Sequence, residues 1–416
     1  MNKKALLFFV VLLGSCSCDG ILQDRHLESQ LNTSFQFTEN TPFPVYVKEM
    51  REIIAKTKQS SLINHSEVER AKMLNAVSPF EWTPDLSCNT DNNRIRNGIL
   101  LLHGLSDSPF QMREIGQHFQ AQCFLVRALS LPGHSTIPGD LLEVSYQDWL
   151  DATRYGINSF SDKVENLYIA GFSTGGALAV YHSLNSDNLK IIPKGLILFA
   201  PALKLQTKVG WLANWHKLYS WLWPSGQWLE IAEDIDYARY ESFPKNAADQ
   251  IHLLAQQLGN LKTGAQLSIP TFIVISEDDK TVNPQGVLDF FKHRTSPTSQ
   301  LLLYTTNQAI TDENARIQRV QSAYPQDNIV NFAHMSMLLP ATNVHYGKQG
   351  DYINCLHYLC KQKDKFKRCQ MSNPTEIKYG AKPDSEAKNL IRRLLYNPDF
   401  TNMMAKIDIF IKQIAN

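Results

Sequence analysis

The sequence predicts an α/β protein, a mostly parallel sheet with helices on both faces and a cap inserted into it. Two observations carry that expectation. From Arg96 onward, apolar runs of four to eight residues alternate with stretches of helical period, the pattern of parallel strands buried on both faces and joined by crossover helices. One connection, between Phe199 and Thr271, then holds about seventy residues where a crossover helix needs perhaps a dozen or so.

Taken in order, the first sixteen residues read as an export signal rather than fold. Met1-Asn2-Lys3-Lys4 is a short positive stretch, Ala5 to Gly14 is apolar but too short to span a bilayer, and small residues follow. Leu13-Gly14-Ser15-Cys16 resembles the lipobox of bacterial lipoproteins, in which the cysteine becomes the acylated first residue. An ordinary signal peptide ending near a cysteine is the other reading. Either one predicts export, to the cell envelope as an anchored lipoprotein or into the medium. Residues 17–94 read as a linker, 20–42, followed by a helical extension: Val45, Val47, Met50, Ile53 and Ile54 form a stripe after Pro42 and Pro44, and a second helix runs from about Ser66 to Ala76.

The α/β part spans 95–416. Strands are expected at 98–102, 124–131, 167–171, 195–199, 271–275 and 301–305, with helices at 146–159 and 175–184 among the connections. The long connection, about 203–265, holds five of the seven tryptophans. A structured cap closing with a helix over 246–261 is the economical reading, since a long loop without structure is anomalous in a compact domain. Trp211, Trp215, Trp221 and Trp223 are candidates for an apolar substrate pocket, or plain cap core.

Composition narrows the function classes. Formal net charge is +1 (41 basic against 40 acidic residues), which gives no electrostatic footprint for nucleic acid. The basic run 361–368 reads as a solvated face. In an oxidising compartment cysteines pair; Cys355, Cys360 and Cys369 are close enough for a local bridge, and Cys88 and Cys123 form another candidate pair, with connectivity open. No cysteine or histidine spacing resembles a metal site, so no metal is expected.

The chemistry is concentrated in Gly171-Phe172-Ser173-Thr174-Gly175. It follows a strand and opens a helix, the context of a nucleophile elbow. There the serine sits in a strained turn that lifts its hydroxyl above the sheet, and its neighbours two residues away must be small because helix and strand nearly touch. The helix start adds unpaired amides where negative charge develops during acyl transfer.

With this elbow in place, the runs Leu101-Leu-His-Gly-Leu-Ser-Asp-Ser-Pro-Phe110, Leu131-Pro-Gly-His-Ser135, Asp148-Trp-Leu-Asp-Ala152 and Gly171–Gly176 resemble the carboxylesterase and monoacylglycerol-lipase-like branch of the α/β-hydrolases, in the family's order, over roughly 95–345. The resemblance implies an eight-stranded sheet or a variant of it, a cap over the site and no cofactor. It also implies Ser173 as nucleophile, Asp279 of Asp279-Lys-Thr-Val282 as orienter and His334 as base. Glu277 and Asp278 compete for the acid and His345 for the base. The backbone amides of Leu105 and Thr174 are the candidate oxyanion hole, unless His103-Gly104 is merely a tight strand exit. His134 is expected to fix a turn near the site; His118, His182 and His252 need no function.

The expected activity is hydrolysis of carboxylic esters of acyl chains, of carboxylesterase, lipase or lysophospholipase type, through an acyl-enzyme. An acyltransferase or thioesterase would use the same three residues, and a binding protein on the same scaffold would lack the chemistry. The expected partners are an ester or lipid substrate and, if Cys16 is acylated, a membrane. Two features depart from the family pattern: about 28 residues separate Thr305 from His334, and no strand is evident before Arg96.

Overall fold

A computed structural model describes residues 21–88, 94–206, 224–260, 265–307, 314–360, 362–383 and 389–415. Its centre is an eight-stranded sheet in the order β1-β3-β2-β4-β5-β8-β9-β10. The strands are β1 Phe80–Trp82, β2 Ile95–Leu102, β3 Phe124–Ala128, β4 Val164–Phe172, β5 Gly195–Phe199, β8 Thr271–Ser276, β9 Gln300–Thr305 and β10 Ile317–Gln321. All neighbours pair in parallel except β1, which is antiparallel to β3. Two short pairs lie outside it: β6 Trp228–Glu230 with β7 Phe243–Pro244, and β11 Lys378–Gly380 with β12 Ile391–Arg393.

The continuous apolar runs have the expected cause. Along β2, Leu100 and Leu102 join one core cluster while Ile99 and Leu101 join the cluster on the opposite face. A strand buried on both sides cannot alternate with polar residues. Both departures noted in the sequence are resolved by edge strands. β1 lies before Arg96, and β10 lies between β9 and His334, filling part of the long interval.

The helices in chain order are α1 Phe43–Thr57, α2 Gln59–Leu62, α3 Glu67–Val77, α4 Arg113–Ala121, α5 Tyr146–Asn158, α6 Thr174–Leu184, α7 Lys245–Asn260, α8 Pro284–Arg294, α9 Lys363–Met371 and α10 Phe400–Ala415. α1 starts after Pro42 and buries Phe43, Tyr46, Met50 and Ile54. Apolar side chains so placed contribute about 2 kcal/mol each. α3 opens with a capping box, Ser66 Oγ accepting from Glu69 N while the Glu69 carboxylate accepts from Ser66 N.

The stretch 20–42, expected as a linker, is instead seated on the fold over its described residues. Asn32 is buried and its side-chain amide donates to His134 O at 2.9 Å. Ser29 donates from its backbone and its hydroxyl to Asp140, and Arg25 pairs with Asp234 at 3.0 Å. Phe35 and Phe37 also pack against the core, their rings 5.4 Å from Tyr155 and 4.9 Å from Tyr46, but these scattered apolar positions form no periodic stripe in a polar stretch.

In the long connection, α7 closes the insertion as expected and packs against α5 and α6. Trp228 is buried, edge-on to His26 at 4.9 Å. Between described residues, the disulfides Cys88–Cys123 and Cys355–Cys369 tie outlying segments down.

Candidate active site

The elbow begins with steric necessity. A Cβ on Gly175 would lie 2.3 Å from the carbonyl oxygen of Leu102 on β2, and one on Gly171 would lie 2.5 Å from the backbone of Gly175. Both contacts are with backbone that cannot swing away, so only glycine fits. Between them Ser173 has φ 50° and ψ −109°, a conformation that costs a non-glycine residue about 1–3 kcal/mol. Its N–H donates to Phe199 O at 2.9 Å, and its carbonyl accepts from Ala177 and Ala202. Neighbouring strand and helix thus hold the strained turn.

The structure brings Ser173, Asp279 and His334 together. His334 Nε2 lies 3.0 Å from Ser173 Oγ, and its Nδ1 lies 2.6 Å from Asp279 Oδ2. With Nδ1–H donating to the carboxylate, Nε2 is free to accept the serine proton. Asp279 Oδ1 is fixed separately by the backbone amides of Thr281 at 2.7 Å and Val282 at 2.9 Å. The carboxylate is fully enclosed and the imidazole nearly so; Phe172 backs the ring at a centroid distance of 4.9 Å.

The competitors face elsewhere. Glu277 accepts from Thr305 Oγ1, and the Asp278 carboxylate is engaged by the Asn331 side chain. His345 is held between Asp236, 2.9 Å from its Nε2, and Asp351 at its Nδ1. Burial opposes its charge, but the two carboxylates prevail and raise it above the ordinary imidazole value. His118 meets Asp408 at 2.9 Å and His182 donates to Leu150 O. His134 donates to Pro132 O from Nδ1 and accepts Asn32 on its carbonyl, holding the turn after β3.

Leu105 and Thr174 both border the cavity that opens on Ser173, a space of about 590 Å³. Thr174 is the first residue of α6, where amides have no intrahelical partner. His103 donates from Nδ1 to Gly104 O and accepts Leu131 N on Nε2, so it shapes the exit of β2 and ties it to the next loop.

Four residues on this cavity, Asp107, Glu230, Arg239 and Arg393, were not singled out by the sequence. Asp107 belongs to the loop after β2, whereas Glu230 and Arg239 come from the insertion and Arg393 from the C-terminal segment, with no spacing that links these three to the elbow. Tyr240 N donates to Ser106 O at 2.8 Å and Ser108 Oγ to Ala238 O at 2.6 Å, which seats Arg239 over the β2 exit. Burial pushes the Asp107 carboxyl up to about 6 although Arg239 Nε stands 3.9 Å away. At that separation the guanidinium offsets only part of the desolvation. Trp211, Trp215, Trp221, Trp223 and Cys16 lie outside the described residues.

Residues 93–308, more than half of the chain, match the family described as serine aminopeptidase, S33 (Hydrolase_4). The chain belongs to that family, and with it to the α/β-hydrolases of the carboxylesterase and monoacylglycerol-lipase-like branch; it is an ester hydrolase. It is 24% identical over 212 residues to the thermostable monoacylglycerol lipase of Bacillus sp. (strain H-257), covering 50% of this chain and 81% of that one. It is 21% identical over 210 residues to the carboxylesterase of Bacillus subtilis (strain 168), with the same coverage. Among solved structures, the monoacylglycerol lipase of Paleococcus ferrophilus is similar at 14% identity and a TM-score of 0.42, over 55% of this chain and 88% of that one.

Proposed function

We propose that the chain is a serine esterase that cleaves acyl esters through a covalent intermediate on Ser173. The carrying observation is the continuous relay from Ser173 Oγ through His334 to Asp279, at 3.0 and 2.6 Å. In this reading Ser173 Oγ attacks the ester carbonyl carbon as His334 Nε2 takes its proton. The amides of Leu105 and Thr174 receive the oxygen that becomes negative; each such donor is worth about 3 kcal/mol in the transition state. Collapse releases the alcohol with the proton from His334, leaving an ester on Ser173. Water, deprotonated by the same imidazole, then frees the acid. Asp279 keeps the correct tautomer and stabilises the imidazolium.

The names of the Bacillus relatives, a monoacylglycerol lipase and a carboxylesterase, support an acyl ester as substrate. So do Leu205, Phe243, Ala248 and Ile251 on the cavity wall. Export is part of the proposal, supported by the disulfides Cys88–Cys123 and Cys355–Cys369, which persist in oxidising compartments. Mass spectrometry of the mature N-terminus distinguishes an acylated Cys16 from a plain cleaved end.

The test is labelling by a fluorophosphonate together with hydrolysis of p-nitrophenyl esters. S173A is expected to abolish labelling and to lower kcat by about 10⁴-fold or more. Labelling that persists in S173A would refute the assignment. Release of acid, not transfer to an added alcohol, separates the esterase from an acyltransferase.

A further inference from the structure

The cavity over Ser173 has two kinds of wall. Leu205, Phe243, Ala248 and Ile251 are apolar, whereas Arg239, Lys382 and Arg393 bring cationic ends from three separate stretches of chain. A neutral ester gives no reason to gather them, since enclosing a guanidinium is unfavourable unless a partner answers it.

Arg239 is partly answered, with Asp107 Oδ1 at 3.9 Å and Ser106 Oγ at 3.3 Å. Arg393 is answered only through space, by the charges of Asp279 and Glu230, and its Nε is buried with no hydrogen-bond partner. Burial first, and repulsion by Arg239 next, hold Arg393 below the usual arginine range. The Nε of Arg239, also on this wall, is buried without a hydrogen-bond partner.

Among the carboxylates on the wall, Asp107 stands 3.9 Å from Arg239 Nε, too far for a hydrogen bond and with its own Oδ1 unpaired, and none bonds Arg393 Nε. Glu241 is engaged by Tyr352 Oη at 2.5 Å and Ile235 N at 2.8 Å. Burial pushes Glu230 up to about 7, which leaves it about half protonated near neutrality. What remains are the buried Nε donors of Arg239 and Arg393, both without a hydrogen bond, on residues that line the cavity over Ser173, and the complement of clustered N–H donors on cations is an oxyanion group.

We propose that Arg393, with Arg239 and Lys382, forms a subsite for a phosphate or carboxylate group on the alcohol half of the substrate, while the acyl chain lies along the apolar wall. This deepens the serine-esterase reading and rests on it.

Four esters with one acyl chain test it: octanoylglycerol, octanoylglycerol phosphate, octanoylglycerate and octanoylcholine. The wild type is expected to hydrolyse at least one of the two anionic esters with kcat/KM about tenfold or more above the neutral one. Which of the two is faster tells phosphate from carboxylate. R393Q is expected to bring the anionic-to-neutral ratio close to unity and R393K to keep part of it, with thermal melts checking that both fold. K382A, at an exposed position, is expected to lower the ratio by less. A wild type that labels with fluorophosphonate but prefers the neutral or choline ester overturns the subsite and leaves the esterase standing. So does a ratio unchanged in a folded R393Q. A chain that neither labels nor cleaves any of the four overturns the esterase reading, and the subsite with it.

Discussion

Asp279 shows how much of this site is decided by single atoms. One carboxylate oxygen is committed to two backbone amides, so the other is aimed at His334 by the turn itself and not by a flexible side chain. D279N would keep the shape but could place a donor against Nδ1, favouring the wrong tautomer. We expect kcat to fall about 10⁴-fold with little change in the melting temperature; near-normal turnover would refute the role. Glu230 carries a different prediction. Its carboxyl is raised by burial to about 7 from an ordinary value near 4.5, so the native state binds this proton more tightly than the unfolded chain. That contribution to stability is complete at low pH and is lost as pH rises through about 7. E230Q should therefore gain on the wild type between about pH 5 and pH 8, by an amount of order 1–3 kcal/mol. Denaturant melts at the two ends of that range read it directly, and a gain that shrinks with rising pH would contradict the sign.

Among the elements, the turn between β4 and α6 is the least tolerant. G175A would drive a methyl group into the Leu102 carbonyl, so elbow and β2 must part. A shift of this kind should reduce kcat/KM by about 100-fold and lower the melting temperature. G259A is the control: its Cβ meets nothing within 4 Å near the end of α7, and it should be neutral or stabilise by about 0.5–1 kcal/mol. A soluble G175A with full activity would refute the argument. The same contrast explains what could be read from the sequence. β5 was legible to the residue because Gly195–Phe199 is buried throughout, and the elbow was legible because sterics leave no other residue at Gly171 or Gly175. β10 was not: Ile-Gln-Arg-Val-Gln has one buried position, as suits an exposed edge, and carries no apolar run. β1 is only three residues long, below what periodicity resolves. Arg239 and Arg393 were illegible for another reason. An arginine on the insertion and one after the last core strand carry no local mark of meeting over a serine.

At the scale of the whole molecule, the C-terminal segment is stapled to the catalytic loop. The Cys355–Cys369 bridge closes a separation of 14 residues, and the Arg392 guanidinium donates to the carbonyls of Cys369 at 2.9 Å and Ser372 at 2.6 Å. That fixes β12, which carries Arg393, against α9. One residue further, Leu394 O accepts from Ser336 Oγ at 2.9 Å, two positions beyond His334. Bridge, cationic wall and catalytic histidine thus form one mechanical line. For a loop this short, removing the crosslink should destabilise by about 3 kcal/mol, felt first by the segment it closes, since local openings need less free energy than global unfolding. We therefore expect the double variant C355S/C369S to melt lower, by an amount on the order of 5 °C. Well below its melt, hydrogen exchange should rise across 363–394 before it rises in the sheet. Protection there equal to that of the wild type would show that the bridge is incidental to the site.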